Sequence, residues 1–393
     1  MPEAVIVSAT RTPIARFMGS FATLKAPVLG AAAIQEAVRR AGLQPDEVEE
    51  VIFGNVLSAG IGQNPARQAA RAAGLPDSIG SVTINKVCGS GLKSVMLAAQ
   101  AIRAGDARVI VAGGMESMTN APYLLPAGRM GARLGHTQLL DSMVSDGLWD
   151  VYNDYHMGIT AENVAARHEI SREMQDEFAA QSQRKAVAAM AAGKFEQEIV
   201  PVEVPRRKQD PLLVREDEGP RADTTAASLA KLRPAFQKDG TVTPGNASTI
   251  NDGAAAVVVM EASEAERRGI TPLARITGYA SGGVAPEWVM MAPVEAVKNL
   301  NVKTGRKVDD YDLVELNEAF AAAAVAVTRE CGFDPERVNV HGGAVALGHP
   351  IGASGCRILV TLLYAMADRG AKTGLASLCL GGGNAVALSV ERG

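Results

Sequence analysis

Residues 104–116 read AGDARVIVAGGME and residues 369–384 read RGAKTGLASLCLGGGN. Each leaves a helical stretch through a glycine and a basic residue, enters an apolar strand and ends it on glycines. The likeness extends upstream. Ahead of the first segment lie EVEEVIFGN (47–55), the turn NKVCGSG (85–91) and an alanine-rich helix; ahead of the second lie DYDLVELN (310–317), GHPIGASG (348–355) and another helix. A strand, a Gly-rich turn, a helix and a strand ending in glycines therefore occur twice, which implies two like α/β halves. Pairing the halves about a pseudo-twofold would bring the two turns to one cleft. Convergence of Ala/Gly-rich segments would leave the same trace, and the pattern by itself does not separate the two.

Outside this repeat, AVIVSA near the start and VNVHGG (338–343) read as further strands, so the fold class is an α/β sheet with largely covered faces. The alternation breaks from about Asn120 to Asn246, where the chain is loop-rich and more charged. One clear helix opens there at Ser171, in SREMQDEFAAQSQRKAVAAM, with serine as cap and Glu173 in the first turn. This segment reads as an insertion. With 393 residues, 47% of them hydrophobic and 21% charged, the chain has material for two or three domains and a large core. A net charge of -4 argues against nucleic acid as the main partner. The start MPEAVIVSATRTP reads as a strand and lacks the basic region of a signal peptide, and no stretch is expected to span a membrane. A cytoplasmic location follows as an expectation.

The cysteines at 88, 331, 356 and 379 are widely spaced, without a C-x-x-C pair or a histidine at ligand spacing, so neither zinc nor a disulfide framework is expected. Cys88 stands between a short strand and a helix, and a helix N-terminus favours a thiolate. His349, pinned by Pro350 in a Gly-rich turn before a helix capped near Ser354, would face Cys88 across the pseudo-twofold, where an imidazole can act as general base. Asn317 sits where a strand enters a helix, as an N-cap or a functional amide. Cys356 and Cys331 read as core or capping residues. Cys379 poses the sharper question, because a small hydrophobe would pack as well and Gly381–Gly383 behind it cost backbone entropy.

NKVCGSG, NEAF, GHPIGASG and CLGGGN, in this order and at these separations, resemble the thiolase family over essentially the whole chain. Within it, NKVC, DYHMG with His156 and Met157, and GNAS with Ser248 resemble the acetyl-CoA acetyltransferases. The resemblance implies two similar α/β domains in αβαβα layers, residues 1–119 plus 247–271 and residues 272–393, with a loop domain at 120–246 covering coenzyme A. It implies reversible condensation of two acetyl-CoA to acetoacetyl-CoA, with thiolysis in reverse. Cys88 would carry the acetyl group, His349 would activate it, and Cys379 would take the α-proton. Asn317 would hold a water at the enolate oxygen, and the N–H groups of Cys88 and Gly381 would receive the tetrahedral oxyanion. Arg221 and Ser228 would lie at the nucleotide end of CoA and Ser248 at the pantetheine amide, with His156, Met157, Ala319 and Phe320 lining the tunnel.

The same resemblance implies acyl-CoA substrates, no metal or separate cofactor, no nucleic acid or membrane partner, and a homotetramer built as a dimer of dimers through an arm near Gly128 to Asp141. Two places depart from the family pattern: Pro244 in TVTPGNAS, where a small residue is common, and VMMAPVEAV (289–297), where a Gly-x-Gly-Pro turn is usual. A broader-chain 3-ketoacyl-CoA thiolase and a non-catalytic acyl-CoA or lipid-binding protein are the competing functions. The second would have lost one of the four polar groups.

Overall fold

The computed structural model describes residues 2–393. The main strands of its large sheet are β1 (Ala4–Arg11), β2 (Glu50–Gly54), β3 (Gly80–Ile84), β4 (Val109–Ser117), β5 (Asn251–Glu261), β6 (Ala274–Gly283), β7 (Leu313–Leu316), β8 (Thr373–Leu380) and β9 (Asn384–Glu391). They form one sheet in the order β7-β8-β9-β6-β1-β5-β4-β2-β3, with the short strand Ala15–Arg16 beside β5. The helices that cover it are α1 (Ala26–Arg40), α2 (Pro65–Ala72), α3 (Ser90–Ala104), α4 (Met157–Arg167), α5 (Arg172–Ala191), α6 (Ala292–Thr304), α7 (Ala321–Cys331) and α8 (Ile351–Arg369).

Outward from the β1/β6 junction the order is symmetrical, with β5, β4, β2 on one side and β9, β8, β7 on the other. The expected duplication is therefore visible in topology. The junction itself is slight, since β1 and β6 share only Val5–Arg275 and Ile6–Ala274. The counterpart of β3 is not a strand. VNVHGG was expected to be one, but Val338 makes a single bridge to Val314, and Asn339 then turns left-handed at φ 46°. Its side-chain amide takes both ladder positions of Leu316, accepting from the N–H at 2.8 Å and donating to the carbonyl at 2.9 Å, so a side chain replaces a strand backbone.

Helices α1 and α2 cover the first half-sheet, α6 backed by α7 covers the second, and α3 with α8 fills the space between, giving helix, sheet, helix, sheet, helix. Alternation along the strands builds the cores on either side. On β5, Ala255, Val257 and Val259 face the central helices while Ala254, Ala256, Val258 and Met260 face α1; on β9, Val386, Leu388 and Val390 face the centre while Ala385 and Ala387 face α6. Both faces are buried, which is why these strands read as continuous apolar runs. Helix α8 is long and apolar enough to cross a membrane, contrary to expectation, yet 83% of that stretch is buried in the middle layer. Apolar residues all round are what a central helix needs.

The middle layer fixes the site. A Cβ on Gly91 of α3 would lie 2.8 Å from the Cys356 nitrogen, and one on Gly355 of α8 would lie 2.5 Å from the Leu92 nitrogen. The two helices thus meet backbone to backbone near their N-termini, and the turns that precede them are held together. The insertion leaves after β4 and returns at β5. Ser171 caps α5 by accepting from the Met174 N–H, as expected, whereas α4 was not foreseen. The root of the insertion is anchored by Arg11 of β1, fully buried, whose guanidinium reaches Glu198 at 2.5 Å and Asp217 at 2.7 and 2.8 Å.

Candidate active site

The nucleophile turn is laced by its own side chains. Ser90 Oγ accepts from the Lys86 N–H at 2.8 Å and donates to the Val87 carbonyl at 2.7 Å, and Asn85 Oδ1 accepts from the Val87 N–H at 2.9 Å. These bonds hold Val87 at φ 46°, a region that β-branched residues rarely enter. Cys88 follows, two residues before α3 begins with Gly89 as its cap. Its thiol receives the N–H of Gly381 and its own N–H, and both favour the thiolate. Burial outweighs them and, with the Glu116 carboxylate adding to it, pushes the thiol up to about 11. The helix N-terminus therefore does not decide the charge of Cys88: the raised thiol is protonated at neutral pH, the state in which a general base is called for.

His349 is the candidate. Its backbone N–H donates to Asn251 Oδ1 at 3.0 Å, and its ring Nδ1 lies 2.6 Å from Ser354 Oγ. The Ser354 hydroxyl has a single proton and donates it to the Pro350 carbonyl at 2.9 Å, so it accepts from Nδ1–H and leaves Nε2 with the free lone pair. Ser354 does not cap α8; Pro350 occupies that position, and the serine orients the imidazole instead. Burial first and the Arg357 charge second push His349 down to about 3, so the ring is neutral. Asn317 is buried, its Nδ2 lies 3.4 and 3.5 Å from the two ring nitrogens, and its Oδ1 has no partner among the described residues. It is not an N-cap, since α7 starts four residues beyond it, behind Phe320. Glu116, at the end of β4, accepts from the N–H groups of Val56, Leu57 and Gly352 and from the Asn55 amide, tying β2 to the first turn of α8.

Cys379 lies on β8 and points toward the α6 side, where its thiol donates to Met290 Sδ at 3.8 Å. Burial pushes it up to about 12, and the neighbouring Cys88 adds to the rise. The glycines behind it divide the work. Gly381 offers its amide to Cys88, with Val87 3.3 Å from where its Cβ would be; Gly382 and Gly383 turn at φ 85° and 88° into β9.

Cys88, His349, Cys379 and Gly381 all open onto one cavity of about 460 Å³, which His156, Met157, Ser248, Ala319 and Phe320 also line. Ser248 and Ala319 are joined by a backbone bond of 2.9 Å, so GNAS and NEAF form one wall. His156 caps α4 through Nδ1 on the Gly158 N–H and stacks on Phe236 at 4.8 Å, and Phe236 meets Phe320 edge-on at 6.0 Å. Gly158 has no alternative, because a Cβ there would lie 2.2 Å from the Phe236 ring. Both departures from the family pattern reach this cavity: Pro244 lines it, and so do Val289 and Met290. Arg221 and Ser228 do not line it. Arg221 is exposed with its N–H on Gln183, and Ser228 closes a capping box with Thr225. Cys356 is core packing, and Cys331 ends α7 before Gly332. Ser354, Phe236 and Arg16 are cavity or support residues that were not foreseen. The glycine of DYHMG was a signal for the ring beside it.

The family model described as Thiolase, N-terminal domain matches residues 4–263, and that described as Thiolase, C-terminal domain matches residues 270–392. Proteins named acetyl-CoA acetyltransferase from Pseudomonas aeruginosa, Cupriavidus necator and Escherichia coli are 58%, 59% and 58% identical to the chain, with 100% of both chains covered in each case. The crystal structure of the Bacillus anthracis acetyl-CoA acetyltransferase superposes with a TM-score of 0.98 at 44% identity, covering 100% of this chain and 99% of that one.

Proposed function

The chain belongs to the thiolase family, and on that premise we propose that it is an acetyl-CoA C-acetyltransferase, joining two acetyl-CoA into acetoacetyl-CoA plus CoA and cleaving acetoacetyl-CoA in reverse. The observation that carries the chemistry is that a half-buried thiol, Cys88, a buried thiol, Cys379, and a neutral imidazole with a free Nε2 open onto one apolar cavity. In the first half-reaction His349 Nε2 takes the Cys88 proton as the sulfur attacks the thioester carbon. The oxyanion is received by the N–H groups of Cys88 and Gly381. The bond from carbon to the CoA sulfur then breaks, and the leaving sulfur takes the proton of Cys379.

That order suits the neutral state of both thiols. A buried thiol near 12 is a poor base at rest, but once it has given its proton away it is the thiolate that the second step requires. Burial penalises each charge alone and favours the imidazolium–thiolate pair that results. In the second half-reaction Cys379 takes a methyl proton from a new acetyl-CoA. The enolate oxygen is stabilised by His349 and by a water on Asn317, whose buried Oδ1 is without a protein partner. The enolate carbon attacks acetyl-Cys88, the carbon–sulfur bond breaks, and Cys88 recovers its proton from His349. No metal or separate cofactor enters, acyl-CoA thioesters are the small-molecule partners, and a cytoplasmic location suits them. We also propose a homotetramer, supported by the unpaired outer edge of β3 and by the exposed apolar side chains of the 123–141 arm.

The test separates the two cysteines. Cys88→Ala should abolish acetyl incorporation seen by mass spectrometry. Cys379→Ser should still gain one acetyl on the peptide containing Cys88, while condensation and exchange of the acetyl-CoA methyl protons with deuterated water fall by about 10² to 10⁴. Unchanged exchange in a folded Cys379→Ser variant would remove Cys379 from the mechanism.

A further inference from the structure

The cavity wall is almost wholly apolar or weakly polar, and Arg16 is the one Lys, Arg, Asp or Glu among the described residues that line it. Arg16 is placed there by the bend that follows β1. Its backbone pairs with Asn251 of β5, and the next residue, Phe17, which also lines the cavity, donates its N–H to the Ile250 carbonyl at 3.0 Å. The guanidinium is exposed and has a single protein acceptor, the Gly219 carbonyl at 3.4 Å.

The nearest carboxylate is used elsewhere. Glu218 accepts from the Arg16 N–H at 2.8 Å and from the Ser20 N–H at 3.1 Å, so it braces the backbone of the bend, and it makes no ion pair with the Arg16 side chain. The contrast with other arginines is plain: Arg11, five residues earlier, is saturated by Glu198 and Asp217. A planar cation with most of its five donors free, held at the wall of a tunnel, is suited to an anion that arrives with the ligand.

We propose that Arg16 is a substrate-recognition residue that binds an anionic oxygen group of the acyl-CoA ligand. This rests on the acyl-CoA function proposed above and adds to it a charged residue of the same cavity wall. Two parts of a ligand could supply the anion: the phosphates of the CoA nucleotide, or a carboxylate on the acyl chain. The chemistry of recognition is the same.

The test compares wild type with Arg16→Gln and Arg16→Lys on three substrates: acetoacetyl-CoA, acetoacetyl-pantetheine, which lacks every phosphate, and a 3-ketoacyl-CoA with a terminal carboxylate. Binding of CoA alone is followed by calorimetry, so that the result does not depend on turnover. If the anion is a CoA phosphate, Arg16→Gln should raise KM for acetoacetyl-CoA and weaken CoA binding by roughly tenfold, leave kcat within about twofold and leave acetoacetyl-pantetheine untouched, with Arg16→Lys recovering most of the loss. If it is an acyl carboxylate, the loss should be confined to the carboxylated substrate. Equal losses on all three substrates, or none on any, would overturn the proposal. Wild type that fails to turn over acetoacetyl-CoA would instead overturn the function proposed above, a result distinct from either.

Discussion

At the scale of single residues the site works by keeping its groups neutral until they act together. Burial holds His349 down to about 3 and Cys88 up to about 11, so neither changes charge between those limits in the free enzyme. The rate of Cys88 acetylation by acetyl-CoA should accordingly show no limb from either group across the neutral range, where Glu116, raised by burial to about 7, is the neighbour of Cys88 that can titrate. An acid limb near 6.5 that persists in Glu116→Gln would show that the imidazole titrates freely and that burial does not set its state. The repeat placed Cys88 and His349, each in a Gly-rich turn, at one cleft, whereas Cys379, at the end of a strand, and Gly381 joined them only through the family resemblance. Sequence could not show how far the Cys88 thiol is desolvated, which outweighs the N–H groups that favour its thiolate. Ser354 and Phe236 were invisible for a related reason. A serine one turn into a helix and a phenylalanine in a loop carry no local signal, and only the packing brings them against His349 and His156.

At the scale of elements, the site depends on the crossing of α3 and α8. Gly355→Ala would put a methyl group about where the Leu92 backbone stands, with the clash at 2.5 Å on atoms that cannot swing away. We expect a cost of about 1–3 kcal/mol from forced separation of the helices. Because His349 precedes one helix and Cys88 the other, acetylation should slow by more than the lost stability would explain. The checks are urea unfolding and the acetylation rate of the folded variant; an unchanged rate would mean that the turns are held by the sheet alone. The strands of both halves were legible because they are buried on two faces, but VNVHGG shows the limit of that signal. Val338, Asn339 and Val340 have the composition of a strand, yet Asn339 supplies strand-like hydrogen bonds from its side chain and lets the backbone turn away. The helix α4 was overlooked because its first turn is occupied by site residues, His156 as cap and Gly158 beneath a phenyl ring.

At the scale of the whole molecule, two surfaces are incomplete in a single chain. β3 is a five-residue edge strand paired only with β2, so its outer edge has no strand partner, although the Ser81 carbonyl accepts from the Asn64 amide at 2.9 Å. The arm that follows β4 carries Tyr123, Met130, Leu134 and Leu139 largely exposed, Leu134 to 99%, and makes only a two-residue hairpin with itself at Tyr123–Leu124 and Leu140–Asp141. An arm this apolar and this poor in internal pairing is a candidate for burial against another copy. On the proposed dimer of dimers, the edge strand would form one interface and the arm the other. Replacing Met130 and Leu134 together by serine should therefore yield dimers where wild type yields tetramers in light scattering after gel filtration. Activity on acetoacetyl-CoA should persist, since neither residue lines the cavity. Wild type that runs as a dimer would sink the tetramer, and a variant that falls apart to monomers would show that the arm, and not β3, holds the primary pair.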